Sequence, residues 1–440
     1  VSRRISLGVG LARILDILVF DASGEATLPD LSRLDIRLRN WDGGSAALNT
    51  TNFDAILLAA DEIDRLTPVI ERINASPSRN VPRLAIADGT DVPDGLDAWL
   101  RPPAAANQIA SRLRALVRLK VMEDIVRRRR AAAEVFGHED FMVAEESGRP
   151  TVLFVGEATT RFLDLRHALS RADADVVAAF SSYSAFDYLH ERAFDAVVLN
   201  ATTRQEMAFT ISSAMRRNAR LYHTPVLLLS RSNRQEEADE AFARGVSDIL
   251  PWDADETEIR ERVLRLASER QRRRKARAQL DACRATKTLD ADSGLFKARF
   301  GLAHLQDLLN AGERAHRPTG LVLMRLGAPS EAQSDAAIRS ARIQFASMLR
   351  HLLRAEDCPV AMANDLYAAI LPCTHLDGAD SVAERIRAIA ECTAFEGDDP
   401  LKAFRLTVET GTSEARGGET AEALIERTQR QLGLPQTKAV

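Results

Sequence analysis

A chain of 440 residues, 45% apolar and 28% charged, has material for two to four domains of ordinary size, each with its own core. A formal net charge of −4 and a pI near 6.2 argue against a dedicated nucleic-acid binder, and 5% aromatic residues leave little for base-stacking platforms. No run reaches the roughly 20 apolar residues that span a bilayer, and Cys283, Cys358, Cys373 and Cys392 show neither a C-x-x-C nor a histidine at metal-ligand spacing.

Those cysteines read as reduced, partly buried thiols of a cytoplasmic protein. Ser2-Arg3-Arg4 and the stretch after it have the outline of a twin-arginine signal, but Arg13 and Asp16 interrupt the apolar part, which runs straight into a strand pattern. That strand is 15–21 (LDILVFD). A helical stretch, then the strand-like IRLRNW, a turn at Asp42-Gly43 and a helical 45–52 follow, and after them the buried strand 53–59 (FDAILLA). A helix over 63–73, the strands PRLAIA (82–87) and AWLRP (98–102), and a long helix from Asn107 to Arg130 complete the first pattern. The pattern then repeats with RPTVLFVGE (149–157), FDAVVLN (194–200), TPVLLLS (224–230) and ARGVSDILPWD (243–253). FDAILLA and FDAVVLN are near-copies about 140 residues apart, which indicates a tandem duplication. Strands alternating with helices predict doubly wound parallel sheets.

Each copy resembles a response-regulator receiver domain. The resemblance implies an acid pair after the first strand for Mg²⁺, an Asp after the third as phosphate acceptor, and a hydroxyl and a Lys after the fourth and fifth. The first copy keeps Asp21 but has Ala22 beside it, Ala59 at the acceptor, Ala87 at the hydroxyl and Arg101 at the lysine, with Pro102 retained. A slipped alignment would let Asp61 serve as acceptor. The second copy has Gly156-Glu157, Asn200, Ser230 and Trp252-Asp253 at these places. Mg²⁺ needs several oxygen ligands and asparagine forms no stable acyl phosphate, so both copies are expected to be adaptors. The basic runs Arg127–Arg130 and Arg272–Lys275 read as solvated ends of linker helices, the second within a long connecting helix over 258–286 whose charges could pair across a dimer.

The third region holds Asp290-Ala291-Asp292-Ser293-Gly294-Leu295 with Arg299, a helix, the strand GLVLMRLG (320–327), a helix over 336–354 closed by Arg354-Ala355-Glu356-Asp357, and a hairpin around Ala363-Asn364-Asp365-Leu366-Tyr367. Helix 379–392, strand 404–415 and helix 420–432 complete it. This layout resembles the GGDEF domain of diguanylate cyclases, whose RxxD inhibition site for cyclic di-GMP lies five residues before the GG[DE]EF hairpin. The expected fold is therefore α/β: two receiver-like doubly wound parallel-sheet domains (1–140 and 141–277) and an α+β GGDEF, cyclase-like domain (278–440).

By the same resemblance, two-metal cyclase chemistry needs an acid on the first strand and one in the hairpin. Here those places hold Arg325, with Gly327 two residues on, and Leu366; Asp365 alone is kept. Ala363 and Asn364 replace the glycines that let backbone approach the triphosphate. The guanine-binding Asn and Asp have no counterparts in 328–340, and QLGLPQTKAV replaces the terminal phosphate-binding Lys/Arg pair. Arg354 and Asp357 remain as a complementary guanine clamp, because guanidinium can take O6 and N7 while a carboxylate accepts from N1–H and N2–H₂. The resemblance adds Arg385, in Ala383–Arg387, as the second ligand-binding arginine.

The expected function is that of a catalytically inactive cyclic di-GMP receptor with no cofactor and no metal. Noncatalytic members of this architecture imply an adaptor for polar localisation and regulated proteolysis of a cell-cycle regulator. Protein partners of such a complex and a homodimer formed through the last helices and strands of the receivers are expected; nucleic acid and membrane insertion are not. The alternatives are a nucleotide-independent scaffold and a residual diguanylate cyclase.

Overall fold

The computed structural model describes residues 14–22, 28–49, 53–89, 91–138, 141, 148–231, 235–315, 317–329, 334–363, 365–397 and 403–433. The arginine pair Arg3-Arg4, Asn364 and the last seven residues lie outside them. Contacts divide the chain into two units, one holding residues 14–120 and 148–275, the other 121–138 and 276–433.

The first unit carries two all-parallel five-stranded sheets. In chain order the first copy comprises β1 (Leu15–Asp21), β2 (Ile36–Asn40), α1 (Ser45–Leu48), β3 (Ala55–Glu62), α2 (Thr67–Asn74), β4 (Arg83–Asp88), β5 (Ala98–Leu100) and α3 (Ala106–Val135). Its sheet order is β2-β1-β3-β4-β5. Ala55–Ala60 is buried on both faces, as a central parallel strand requires. No helix joins β4 to β5 among the described residues.

The second copy comprises β6 (Thr151–Val155), α4 (Thr160–Ser170), β7 (Asp175–Ala179), α5 (Ser182–Glu191), β8 (Ala196–Asn200), α6 (Gln205–Arg217), β9 (Val226–Ser230), α7 (Gln235–Ala243), β10 (Asp248–Pro251) and α8 (Glu256–Ala282), with sheet order β7-β6-β8-β9-β10. The duplication read from FDAILLA and FDAVVLN is thus a duplication of a sheet, with both segments central in it. Within this unit the two copies share a buried polar seam. Arg262 reaches Asp248 at 2.7 Å and Glu258 at 2.8 Å, and all three are under 5% exposed. Arg101 pairs with Asp255 and Glu258, Arg112 with Glu269, and Gln108 donates to Asp248. The final strand and helix expected to serve a homodimer are engaged here by the other copy of the same chain.

The second unit is built on a mixed sheet, β11-β13-β14-β12-β15. Its elements are β11 (Phe296–Lys297), α9 (Ala298–Ala315), β12 (Thr319–Pro329), α10 (Asp335–Leu352), β13 (Cys358–Ala361), β14 (Leu366–Pro372), α11 (Leu376–Cys392), β15 (Leu406–Glu414) and α12 (Ala421–Gln431). β12 runs antiparallel to both β14 and β15, and β13 pairs antiparallel with β14. Phe345, Leu349, Ile386 and Tyr367 fill the core between α10, α11 and this sheet. The Ser334 hydroxyl caps α10 by accepting from the Ala337 N–H at 3.2 Å.

Candidate functional site

At the places where the resemblance expects receiver phosphorylation residues, the side chains make other contacts. Asp21 lies in register with Ala59, which is fully buried and offers no side-chain oxygen. Asp61, two residues on, is exposed and paired with Arg65. Arg101, where the resemblance expects a lysine, is committed to Asp88, to Asp255 just before α8 and to Glu258 on α8. In the second copy the Asn200 side-chain Oδ1 accepts from the Thr202 N–H at 3.1 Å and hydroxyl at 2.6 Å. Gly156 has φ +154°, and a Cβ there would come within 2.5 Å of the Asn200 Cβ, so that place admits no acid.

The hairpin of the third sheet forms as the sequence predicts, with β13 and β14 paired from Cys358↔Ile370 to Ala361↔Tyr367. Arg325 on β12 stands opposite Glu409 of β15, its Nε donating to a Glu409 oxygen at 2.9 Å and its Nη2 to the same oxygen. The surviving hairpin acid, Asp365, is ion-paired with Arg342 of α10. Arg325 is thus held by Glu409, and a second arginine, Arg342, holds the Asp365 carboxylate. No group of three His, Cys, Asp or Glu residues able to hold a metal occurs among the described residues. A cleft of about 550 Å³ persists between the hairpin, α10 and the Asp290–Ser293 turn, lined by Asp292, Asp335, Arg339, Arg342 and Tyr367. Burial pushes the Tyr367 hydroxyl up to about 12.

Around Arg354 the structure departs from the sequence expectation. α10 ends at Leu352, so Arg354–Asp357 is a turn into β13 rather than the close of a helix. The Asp357 N–H donates to the Arg354 carbonyl at 3.2 Å, and Asp357 Oδ2 accepts from the Arg354 N–H at 2.8 Å. This reciprocal pair turns Asp357 inward. It is 4% exposed, and its Oδ1 is buried with no hydrogen-bond partner. Burial, reinforced by Glu356, pushes its carboxyl up to about 7 against the opposing pull of Arg354 and Arg129. In this conformation Asp357 is therefore not presented as the outer jaw of a clamp. Arg385 is brought to the same place: from the exposed face of α11 its Nη2 donates to the Leu352 carbonyl at 2.9 Å.

In the two arginine runs expected to be solvated, Arg129 is buried, and several of the others are ion-paired at exposed or half-buried positions. Arg129 is 2% exposed and donates to the carbonyls of Ala355 at 3.0 Å, Glu356 at 2.6 Å and Asp357 at 3.1 Å. Arg128 pairs with Asp307 and Arg127 with Asp124. In the second run Arg272 pairs with Asp97 and Arg274 with Asp195, inside the first unit. The composition of a run says only that it is basic. A buried acceptor cluster distant in sequence leaves no local signal.

No family model matches the chain. The chain is similar to the response regulator PleD of Caulobacter vibrioides, with 24% identity over 421 residues covering 94% of this chain and 88% of that protein. Among solved structures it is similar to the GGDEF domain of DgcB from Caulobacter crescentus in complex with c-di-GMP, at 15% identity and a TM-score of 0.31, over 34% of this chain and 88% of that one. It is also similar to the chemotaxis response regulator CheY4 of Vibrio cholerae, at 20% identity and a TM-score of 0.26, over 27% and 98% of the respective chains. No described helix is long and apolar enough to cross a membrane.

Proposed function

We propose that this PleD-like receiver and GGDEF signalling protein is a cyclic di-GMP receptor that makes none of the nucleotide itself. Arg354 and Arg385 form the grip, taking guanine and phosphate edges through planar forks. Asp357 turns outward on binding, exchanging the Arg354 N–H and a buried, unpartnered oxygen for the guanine N1–H and N2–H₂. An orphaned buried acceptor is costly, so the inward state is poised to be left. The observation that carries this reading is the convergence of Arg354, Asp357 and Arg385 on one end of α10.

Catalysis is excluded in this reading by charge. Arg325 stands where the resemblance puts a metal-binding acid, and Arg342 is paired with the one hairpin acid kept, so divalent cations would meet positive charge at both carboxylate places. The ligand-bound form then selects one arrangement for recruiting protein partners, and an adaptor role in polar localisation and regulated proteolysis follows as part of the proposal. Isothermal titration of the full chain with cyclic di-GMP tests the receptor. Binding abolished by Arg354→Ala supports it, and heat traces identical to buffer leave the nucleotide-independent scaffold. Cyclic di-GMP formed from GTP with Mg²⁺ or Mn²⁺ would instead establish a cyclase.

A further inference from the structure

Arg129 lies on α3, more than 220 residues before the turn it holds. It is a buried cation, and the contacts that accompany its burial are three carbonyl oxygens of one turn and the face of Phe296, 5.6 Å from the guanidinium carbon. Burying a guanidinium is expensive unless its donors are used. Here three carbonyls in succession face it, which fixes the peptide planes of Ala355, Glu356 and Asp357. Those planes decide where the side chains of residues 354–357 project. Nearby His304 of α9 is fully buried and held well below the usual histidine range by burial and by Arg129 and Arg128, so it adds no competing positive charge.

Resting on the reading of this turn as a ligand site, we propose that Arg129 is a positioning residue of that site and that α3 is the element that senses its occupancy. Arg129 touches no ligand. It presents the turn, so the site is incomplete without residues 121–135. When Asp357 leaves its inward position, the carboxylate that lies near Arg129 departs and the three carbonyl bonds must readjust. Ligand binding and the packing of the 121–135 segment are therefore coupled, and coupling between two sites is reciprocal.

Two measurements on the full chain test this. Hydrogen exchange followed by mass spectrometry, with and without saturating cyclic di-GMP, is expected to slow or quicken at amides 126–132 in the wild type and to stay unchanged in Arg354→Ala. In titrations, Arg129→Ala is expected to weaken binding about tenfold or more, within the ordinary range of coupling between sites. Arg129→Lys keeps the charge without the fork and is expected to stay weakened. Arg128→Ala, which removes the pair with Asp307 and touches none of the turn carbonyls held by Arg129, is expected to bind as the wild type does. Unaltered exchange at 126–132 in a wild type that binds, or wild-type affinity in either Arg129 variant, overturns the role of Arg129 while leaving the receptor standing. A wild type that takes up no cyclic di-GMP sinks both.

Discussion

Replacing Asp357 by asparagine should make the second unit more stable at alkaline pH, although it removes a charge from a proposed binding residue. The carboxyl is 4% exposed, one oxygen bonds the Arg354 N–H and the other has no partner, so the ionised form is poorly served. Its pKa rises from an ordinary value to about 7. The folded state thus holds this proton more tightly than the unfolded chain does. The group's favourable contribution is complete below about pH 4 and is lost as pH climbs through about 7. At ~1.36 kcal/mol per pH unit, the gap from ~3.9 to 7 bounds the loss at about 4 kcal/mol, and relaxation of the turn brings it to on the order of 1–3 kcal/mol. The carboxamide of the Asp357→Asn variant keeps an oxygen for the Arg354 N–H and does not titrate. Pulsed hydrogen exchange of peptides spanning 345–370 along a urea series, at pH 5.5 and pH 8.0, reads the difference. The wild type should lose stability between the two values and Asp357→Asn should not. Parallel behaviour of the two proteins would refute the inward, proton-holding aspartate.

Three further outcomes follow from the same structure. Because binding takes the ionised carboxylate, affinity for cyclic di-GMP should rise from pH 5.5 to pH 8.0 in the wild type, and a flat titration series would count against the outward turn. Arg262→Ala leaves Asp248 and Glu258 buried beside a missing cation, so the first unit should lose about 3–5 kcal/mol in urea unfolding, and a loss below about 1 would mean the seam is solvated. Acetyl phosphate should leave the intact mass unchanged, since Ala59 and Asn200 occupy the acceptor positions; an adduct mapped to Asp61 would revive the slipped alignment.

The sheets were legible because burial leaves periodicity. FDAILLA and FDAVVLN are continuous apolar runs of central parallel strands, and the hairpin announced itself by a polar break between two such runs. The place of Arg325 on a strand was legible from the apolar run around it, but its Glu409 partner was not, since that pair depends on the β12–β15 register. The inward turn of Asp357 was equally hidden: a carboxylate beside an arginine in sequence suggests an exposed pair, and only the tertiary covering of the turn buries it. Arg129 shows the same limit, four arginines in a row reading as a solvated face until distant carbonyls are placed around one of them.

Equilibrium dialysis of the purified full chain against labelled cyclic di-GMP, beside Arg354→Ala, tests the central claim most directly. Saturable uptake by the wild type is expected, with a dissociation constant in the micromolar range or tighter, about −8 kcal/mol or below, and none by the variant. Equal retention by both proteins, or none by either, would contradict it.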